Sequence, residues 1–342
     1  MGETLSELSV AFLFRPISID GTGVAIPATM QLSSELDLKI GKPAGWLYRR
    51  TGVFSRPVCG TESQIDLGLA AAREAIAAAG IEAKEIDILL FAAAVPYQTI
   101  PATAPLLQQR LGIADGGCAA FDINATCLSF LSAMDLLASM LATGRYRRGL
   151  VVSSEVASRA LPWQTHPETA ALFGDGAAAA VLSSGSGTAG IVAAAMETHP
   201  SGYDACRLAA GGTRFDFHEA PEEFARNSLF EMAGETLYRL TLKIFPPFLD
   251  RLLDSAGWDR KDVDVVVPHQ ASPGALAHLA KRSGFRRDVV IDIMRDRGNQ
   301  IAASLPSALH AARATQRLSS GSKVLMLGTS AGVSLGGLAL VA

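Results

Sequence analysis

Apolar and polar positions along the chain fall into two rhythms that follow one another in a regular order. Residues 17–24 read as a strand that ends in glycine punctuation, and residues 65–79 carry apolar side chains at helical spacing up to Gly80. Residues 86–93 are too uniformly apolar to alternate, as in a strand covered on both faces. A helix over 102–111, a strand over 119–123 and a helix over 128–143, closed by Gly144, come next, then strands over 149–153 and 177–182. Beyond a Ser/Gly run at 183–187 the same script resumes. It gives a strand over 191–196, one or two helices within 229–256 interrupted at Pro246-Pro247, a strand over 263–267 and a helix over 273–282. A strand over 289–293, a helix over 301–318 and closing strands over 323–327 and 335–341 complete the pattern. Strands alternating with helices predict an α/β fold with helices covering mostly parallel sheets.

The script is written twice. Gly80-Ile81-Glu82-Ala83-Lys84-Glu85-Ile86-Asp87-Ile88-Leu89-Leu90 returns 177 residues later as Gly257-Trp258-Asp259-Arg260-Lys261-Asp262-Val263-Asp264-Val265-Val266-Val267. A period so much longer than that of a solenoid indicates a duplicated domain. The expected organisation is an N-terminal extension over 1–15, one half over 16–185 and a second over 186–342. Stacked on each other, two such units make a five-layered α/β/α/β/α body.

With 342 residues, 49% hydrophobic and 18% charged, the chain can bury two large fused units. A net charge of −3 argues against nucleic acid or a polybasic membrane surface as its main partner. The local basic runs Arg145-Tyr146-Arg147-Arg148 and Lys281-Arg282 read as solvated helix ends. Four cysteines, Cys59, Cys118, Cys127 and Cys206, have neither metal-ligand spacing nor that of a short disulfide framework. Residues 1–9 are polar and acidic, so no signal peptide is expected, and no apolar run reaches the length of a membrane span. These features predict a cytoplasmic protein.

Candidate chemistry sits where strands hand over to helices. Cys127 lies in Asn124-Ala125-Thr126-Cys127-Leu128-Ser129, ahead of a long apolar helix whose positive end favours thiolate. His269 follows the strand over 263–267, in Pro268-His269-Gln270-Ala271-Ser272-Pro273, with Ser272 placed to cap the next helix. Strand ends of this kind are where open α/β sheets gather ligands. Asn299, in Gly298-Asn299-Gln300-Ile301-Ala302-Ala303-Ser304, belongs to the strand–turn–helix that the repeat makes equivalent to the one bearing Cys127. Alone, each also fits a structural role: inert buried thiol, hydrogen-bonded loop histidine, helix cap. Together they point to one cavity shared by the two halves.

With these motifs in place, the chain resembles the thiolase superfamily, and within it the ketoacyl-acyl carrier protein synthase III group of condensing enzymes. The similarity runs from about Ile17 to the C-terminus and includes Phe173-Gly174-Asp175-Gly176-Ala177 and Trp46-Leu47-Tyr48-Arg49-Arg50-Thr51-Gly52-Val53. It implies a thiolase-like fold in which Cys127 is acylated and His269 and Asn299 serve decarboxylation of a malonyl-type extender. By the same resemblance Trp46 and Arg50 hold coenzyme A, and Gly174-Asp175-Gly176 is a structural turn. Coenzyme A thioester is then a substrate, no metal or other cofactor is expected, and the partners are acyl-coenzyme A, acyl carrier protein and a second copy in a homodimer. The chain departs from the family pattern at Ser272, Gly274 and Pro167, where asparagine, arginine and a basic residue are usual. Thr329-Ser330-Ala331-Gly332-Val333 stands for Phe-Gly-Gly-Gly-Phe, and Ile100 replaces an aromatic that lines the partner subunit's acyl pocket, so Ile100, Thr329 and Ala331 are assigned to that pocket.

The resemblance implies a decarboxylative Claisen condensation of an acyl-coenzyme A with a malonyl-thioester, in fatty-acid or specialised metabolism. The alternatives are an acyltransferase of the same fold acting on a hydroxyl or amine, and a non-catalytic scaffold or coenzyme A-thioester-binding subunit.

Overall fold

The computed structural model describes residues 14–342. The expected N-terminal extension therefore lies almost wholly outside the described residues, and its last member, Arg15, already belongs to a strand and pairs with Ile191. Nine strands form the main sheet: β1 (Arg15–Ala25), β2 (Ile88–Ala92), β3 (Ala119–Ile123), β4 (Arg148–Glu155), β5 (Gly176–Ser184), β6 (Gly190–Thr198), β7 (Val265–Pro268), β8 (Lys323–Ser330) and β9 (Ser334–Val341). The helices that matter below are α1 (Ser33–Lys39), α2 (Trp46–Thr51), α3 (Gln64–Ala78), α4 (Thr103–Arg110), α5 (Ser129–Ala142), α6 (Gly234–Ala256), α7 (Pro273–Arg282) and α8 (Ser304–Ala314).

The sheet order is β7-β8-β9-β6-β1-β5-β4-β2-β3. Only β2/β3, β2/β4 and β7/β8 pair in parallel; the other neighbours are antiparallel, so the sheet is mixed rather than mostly parallel. Long β1 is the join. It pairs with β5 from Ile17 to Ala25 and with β6 through Arg15 and Pro16, leaving one wing of sheet on either side.

Side-chain alternation builds the layers. Ile88, Leu90, Val151, Ala180 and Leu182 of one wing and Val265, Val267, Val324, Met326 and Leu338 of the other share one core with α5 and α8. The intervening residues face outward: Leu89, Phe91, Leu150 and Val152 pack on α3 and α4, and Val266, Leu325, Leu327 and Leu335 pack on α6. The result is helix, sheet, helix pair, sheet, helix: the five-layered thiolase-like arrangement. Central strands such as β2 are covered on both faces, which explains their unbroken apolar runs.

The two copies of the repeat fold alike. Gly80 and Gly257 end their helices with φ of 67° and 66°, where glycine has no Cβ to clash. Each is followed by a 3-10 turn (Ala83–Glu85, Arg260–Asp262) and an apolar strand.

Two expected features differ. Residues 289–293 form no strand beyond one bridge, Val266 to Val290. The buried Gln270 side chain takes the place of a ladder, donating to the Ile291 carbonyl at 3.1 Å and accepting from the Ile293 N–H at 3.0 Å. And α6 runs unbroken through Pro246 and Pro247. The carbonyls those prolines leave unpaired, on Leu242 and Lys243, belong to exposed residues that water can serve, while Phe248, Leu249, Leu252 and Leu253 anchor the later turns. Among the described residues, no helix is long and apolar enough to cross a membrane.

Candidate active site

Strand β3 delivers the chain to a 3-10 turn, Thr126–Leu128, that leads into α5. The turn is built by local polar bonds. Asn124 Oδ1 accepts from the Thr126 N–H at 2.9 Å, and Ser129 Oγ accepts from the Ala125 N–H at 2.9 Å. Thr126 is forced to a φ of 52°, a left-handed conformation that side chains disfavour. This geometry sets Cys127 at the helix start. Its own N–H and that of Ala331 are directed at the sulfur.

Those N–H groups favour a thiolate, but burial opposes them and wins. Desolvation pushes the Cys127 thiol well above the usual thiol range, and the neighbouring Cys206 and Glu155 add to the rise. Burial thus favours the thiol over the thiolate that the helix position suggests.

His269 follows β7, and its N–H continues the pairing with β8 by donating to the Leu327 carbonyl at 2.7 Å. The residue is 6% exposed, and burial lowers its pKa to about 4, so the imidazole is neutral at pH 7. Its Nδ1 has no hydrogen-bond partner among the described residues. As expected, Ser272 caps α7, accepting from the Ala275 N–H at 3.1 Å.

Asn299 is fixed by backbone on both sides: its N–H donates to the Leu172 carbonyl at 2.7 Å and its carbonyl accepts from Gly174 at 3.1 Å. Its Oδ1 accepts from the Ile301 N–H at 2.8 Å, and its Nδ2 donates to the Ala271 carbonyl, beside His269, at 3.3 Å. The Gly174-Asp175-Gly176 turn supports this arrangement. Buried Asp175 accepts from the Cys59 and Ser158 N–H groups, and a Cβ at Gly174 would stand 2.3 Å from the Arg297 carbonyl oxygen.

The end of β8 brings the three segments together. A Cβ on Gly328 would stand 2.6 Å from Leu128 Cδ2 and 3.1 Å from His269 Cβ, so the nucleophile's turn and the histidine corner press on one glycine. Two residues on, Ser330 Oγ donates to the Ala125 carbonyl at 2.8 Å. Ala331 then presents its N–H to Cys127. Thus Cys127, His269 and Asn299 come from loops that touch one another through Gly328, Ser330 and Ala271.

The remaining predicted residues are placed more loosely. Trp46 opens α2, where buried Asp37 accepts from the Gly45, Trp46 and Leu47 N–H groups. The Arg50 guanidinium lies 4.7 Å from the Trp46 ring and the Lys42 ammonium 5.3 Å. α2 ends at Gly52 against Pro273, the first residue of α7, which puts it next to the histidine corner. Thr329 is half-buried in β8. Ile100 is 83% exposed on a loop with Val95 and Tyr97, so it lines no pocket of its own chain.

Three residues escaped the sequence reading: the Ala331 backbone as a donor, Glu155 at the end of β4, and Cys206. Glu155 carried a signal, since a carboxylate that closes an otherwise apolar strand needs partners.

Comparison with known proteins matches this architecture. The 3-oxoacyl-[acyl-carrier-protein] synthase III model matches residues 121–200, and the model of that enzyme's C-terminal part matches 253–342. The beta-ketoacyl-[acyl-carrier-protein] synthase III of Neisseria meningitidis serogroup A is 32% identical over 94% of this chain and 98% of its own length. That of Erythrobacter litoralis is 34% identical over 90% and 94%. The crystal structure of the Aquifex aeolicus 3-oxoacyl-[acyl-carrier-protein] synthase III superposes with a TM-score of 0.86, at 28% identity over 95% of this chain and all of that one. Two full-length relatives above 30% identity, on a shared fold, make this chain a member of the beta-ketoacyl-[acyl-carrier-protein] synthase III family of condensing acyltransferases.

Proposed function

We propose that Cys127 attacks an acyl-coenzyme A and holds the acyl group as a thioester while coenzyme A leaves as its thiol. The N–H groups of Cys127 and Ala331, both aimed at the sulfur, would donate to the carbonyl oxygen of the tetrahedral intermediate as it gains charge. Neutral His269 is the base at hand for the thiol proton. A malonyl-thioester, carried by acyl carrier protein, then binds with its thioester oxygen facing His269 and Asn299. Loss of carbon dioxide leaves an enolate whose charge these donors stabilise. Its carbon attacks the acyl-cysteine, the sulfur departs, and a 3-oxoacyl thioester is released.

Trp46, Lys42 and Arg50 form the surface that would take the adenine and phosphates of coenzyme A, by aromatic stacking and charge. The chain acts as a homodimer in this reading. Edge strand β3 exposes Phe121, and the loop with Val95, Tyr97 and Ile100 projects beside it, so pairing of two such edges would carry Ile100 into the partner's acyl pocket. Four free thiols fit a reducing cytoplasm.

The observation that supports the proposal is two N–H groups directed at one half-buried sulfur, on a turn that shares Gly328 with the corner carrying a neutral imidazole. Intact-protein mass spectrometry after exposure to acetyl-, butyryl- and octanoyl-coenzyme A tests it, with carbon dioxide release from malonyl-acyl carrier protein followed in parallel. Acyl mass gained on Cys127 and carbon dioxide released are the expected results. Loading without release sinks the condensation and leaves transfer to a hydroxyl or amine.

A further inference from the structure

Glu155 closes β4 and is 1% exposed. Its carboxyl faces three directions. Oε1 accepts from the Ala94 N–H at 2.6 Å, and the Val95 N–H is aimed at the same group. Both amides lie where the chain leaves β2 for the 93–102 loop, which carries Tyr97 and Ile100. The Ala302 N–H, three residues past Asn299, also points at this carboxyl. And Glu155, when ionised, raises the Cys127 thiol through its charge. Among the described residues no cation pairs with it, although a buried carboxylate would ordinarily need one.

We infer that Glu155 is a positioning residue of the condensation: a single carboxyl aligns the Ile100 loop and the Asn299 turn against Cys127, and when ionised it adds negative charge near the sulfur. The inference rests on the function proposed above. Three amides from two separate loops point at this side chain, so its loss loosens both walls of the site together. A misplacement of about 1 Å at a reacting group costs on the order of a hundredfold in rate. The titratable groups facing it are Cys127 and Asp175; the 93–102 loop and the Ala302 turn supply only N–H bonds. Burial, reinforced by Asp175, raises the carboxyl to about 8 against those N–H groups, so it is protonated at pH 7 and ionises as pH rises past that value. Ionisation places a negative charge beside the sulfur and makes the thiolate harder to form.

The test is Glu155→Gln, close in shape but unable to ionise, with Glu155→Asp as the shorter, charged variant. Alkylation of Cys127 by iodoacetamide is followed against pH by peptide mapping, alongside kcat and KM with whichever of the three acyl donors loads the wild-type chain. In Glu155→Gln the alkylation midpoint is expected to move to lower pH, with kcat down about tenfold or more and KM for the donor within about threefold. Glu155→Asp is expected to restore the midpoint towards the wild-type value without restoring kcat. A Gln variant that retains the wild-type midpoint overturns the inference even if kcat falls, because the carboxyl then only maintains the fold; unchanged kcat overturns it too. A wild-type chain that none of the three donors loads overturns the proposed function instead, and the alkylation midpoint still judges Glu155.

Discussion

In the first half of the molecule Asn124 Oδ1 accepts from Thr126 at 2.9 Å and Ser129 Oγ accepts from Ala125 at 2.9 Å; in the second, Asn299 Oδ1 accepts from Ile301 at 2.8 Å and Ser304 Oγ from Gln300 at 2.9 Å. Thr126 and Ile301 share a left-handed backbone, with φ of 52° and 50°, and each opens a 3-10 turn that runs into a core helix. The counterpart of Asn299 is therefore Asn124, and the counterpart of Cys127 is Ala302. Duplication has given one turn twice. Cys127 places a sulfur at the start of α5, where Ala302 offers only a methyl and gives its N–H to Glu155. Asn299 keeps a carboxamide beside His269, whereas Asn124 turns its Nδ2 to the Ala94 carbonyl at 3.0 Å. In the proposed reaction one turn supplies the nucleophile and the other the polar donor.

Removing the sulfur erases that difference and has the largest expected effect. Cys127→Ala gives both halves a methyl at this position, and acyl loading by mass spectrometry should fall below detection while the fold persists. Retained loading at another cysteine would assign the chemistry elsewhere.

Next in size is the asparagine pair. Asn299→Ala is expected to lower carbon dioxide release by about a hundredfold or more, the scale seen when one donor to a developing oxyanion is lost, with acyl loading little changed. Asn124→Ala removes only a local cap and should cost about 1 kcal/mol in stability with both half-reactions retained. Equal losses of release in the two variants would mean that neither asparagine is specialised. His269 adds a pH signature to the second half. Its folded pKa of about 4 lies below the ordinary value of 6.5, so it contributes stability above pH 6.5 that is lost as pH falls through 4. Denaturation followed by circular dichroism between pH 7 and 4 should show a decline that is shallower in His269→Gln.

Much of this was legible in the residues. Gly80 and Gly257, the matching strands and the strand-to-helix turns that carry Cys127 and Asn299 all follow from patterns that are local or repeated. The differences are tertiary. Nothing near residues 289–293 announces that Gln270 will take the place of a strand partner, and prolines 246 and 247 lie within a helix because its exposed face leaves their carbonyl acceptors to water. The state of the sulfur is tertiary for a similar reason: the helix start is written in the sequence, while the burial of the thiol and the nearness of Glu155 and Cys206 are not. Ala331 was read as a side chain lining a pocket, but its contribution to the sulfur is its backbone N–H.

Leu128 and Ala303 are the next equivalent pair. Leu128 is fully buried and fits because Gly328 and Gly336 leave room: Cβ atoms there would stand 2.6 and 3.0 Å from its methyls. Leu128→Ala makes the two turns alike in size and opens a cavity that neither glycine can fill. A loss of about 3 kcal/mol in chemical denaturation is expected, at the middle of the range for such truncations. A loss under about 1 kcal/mol would show that the β8 and β9 ends close in on the space.

The smallest expected effects separate backbone strain from its surroundings. Thr126 and Ile301 hold nearly the same φ, so glycine should relieve about 1–2 kcal/mol of left-handed strain at either position, against up to about 1 kcal/mol of added chain entropy. Their neighbours differ. Thr126 packs into no apolar cluster, whereas Ile301 is partly buried against the group formed by Ala157, Leu161, Ala170 and Phe173. Thr126→Gly should be neutral or stabilising by up to about 1 kcal/mol, and Ile301→Gly should be destabilising, because the lost burial of an isoleucine, about 1.5–3 kcal/mol when complete, outweighs the relief. Thermal unfolding of both variants measures the difference directly. Shifts of the same sign and size would mean that the backbone alone governs these turns and that the packing around Ile301 contributes nothing to holding Asn299 in place.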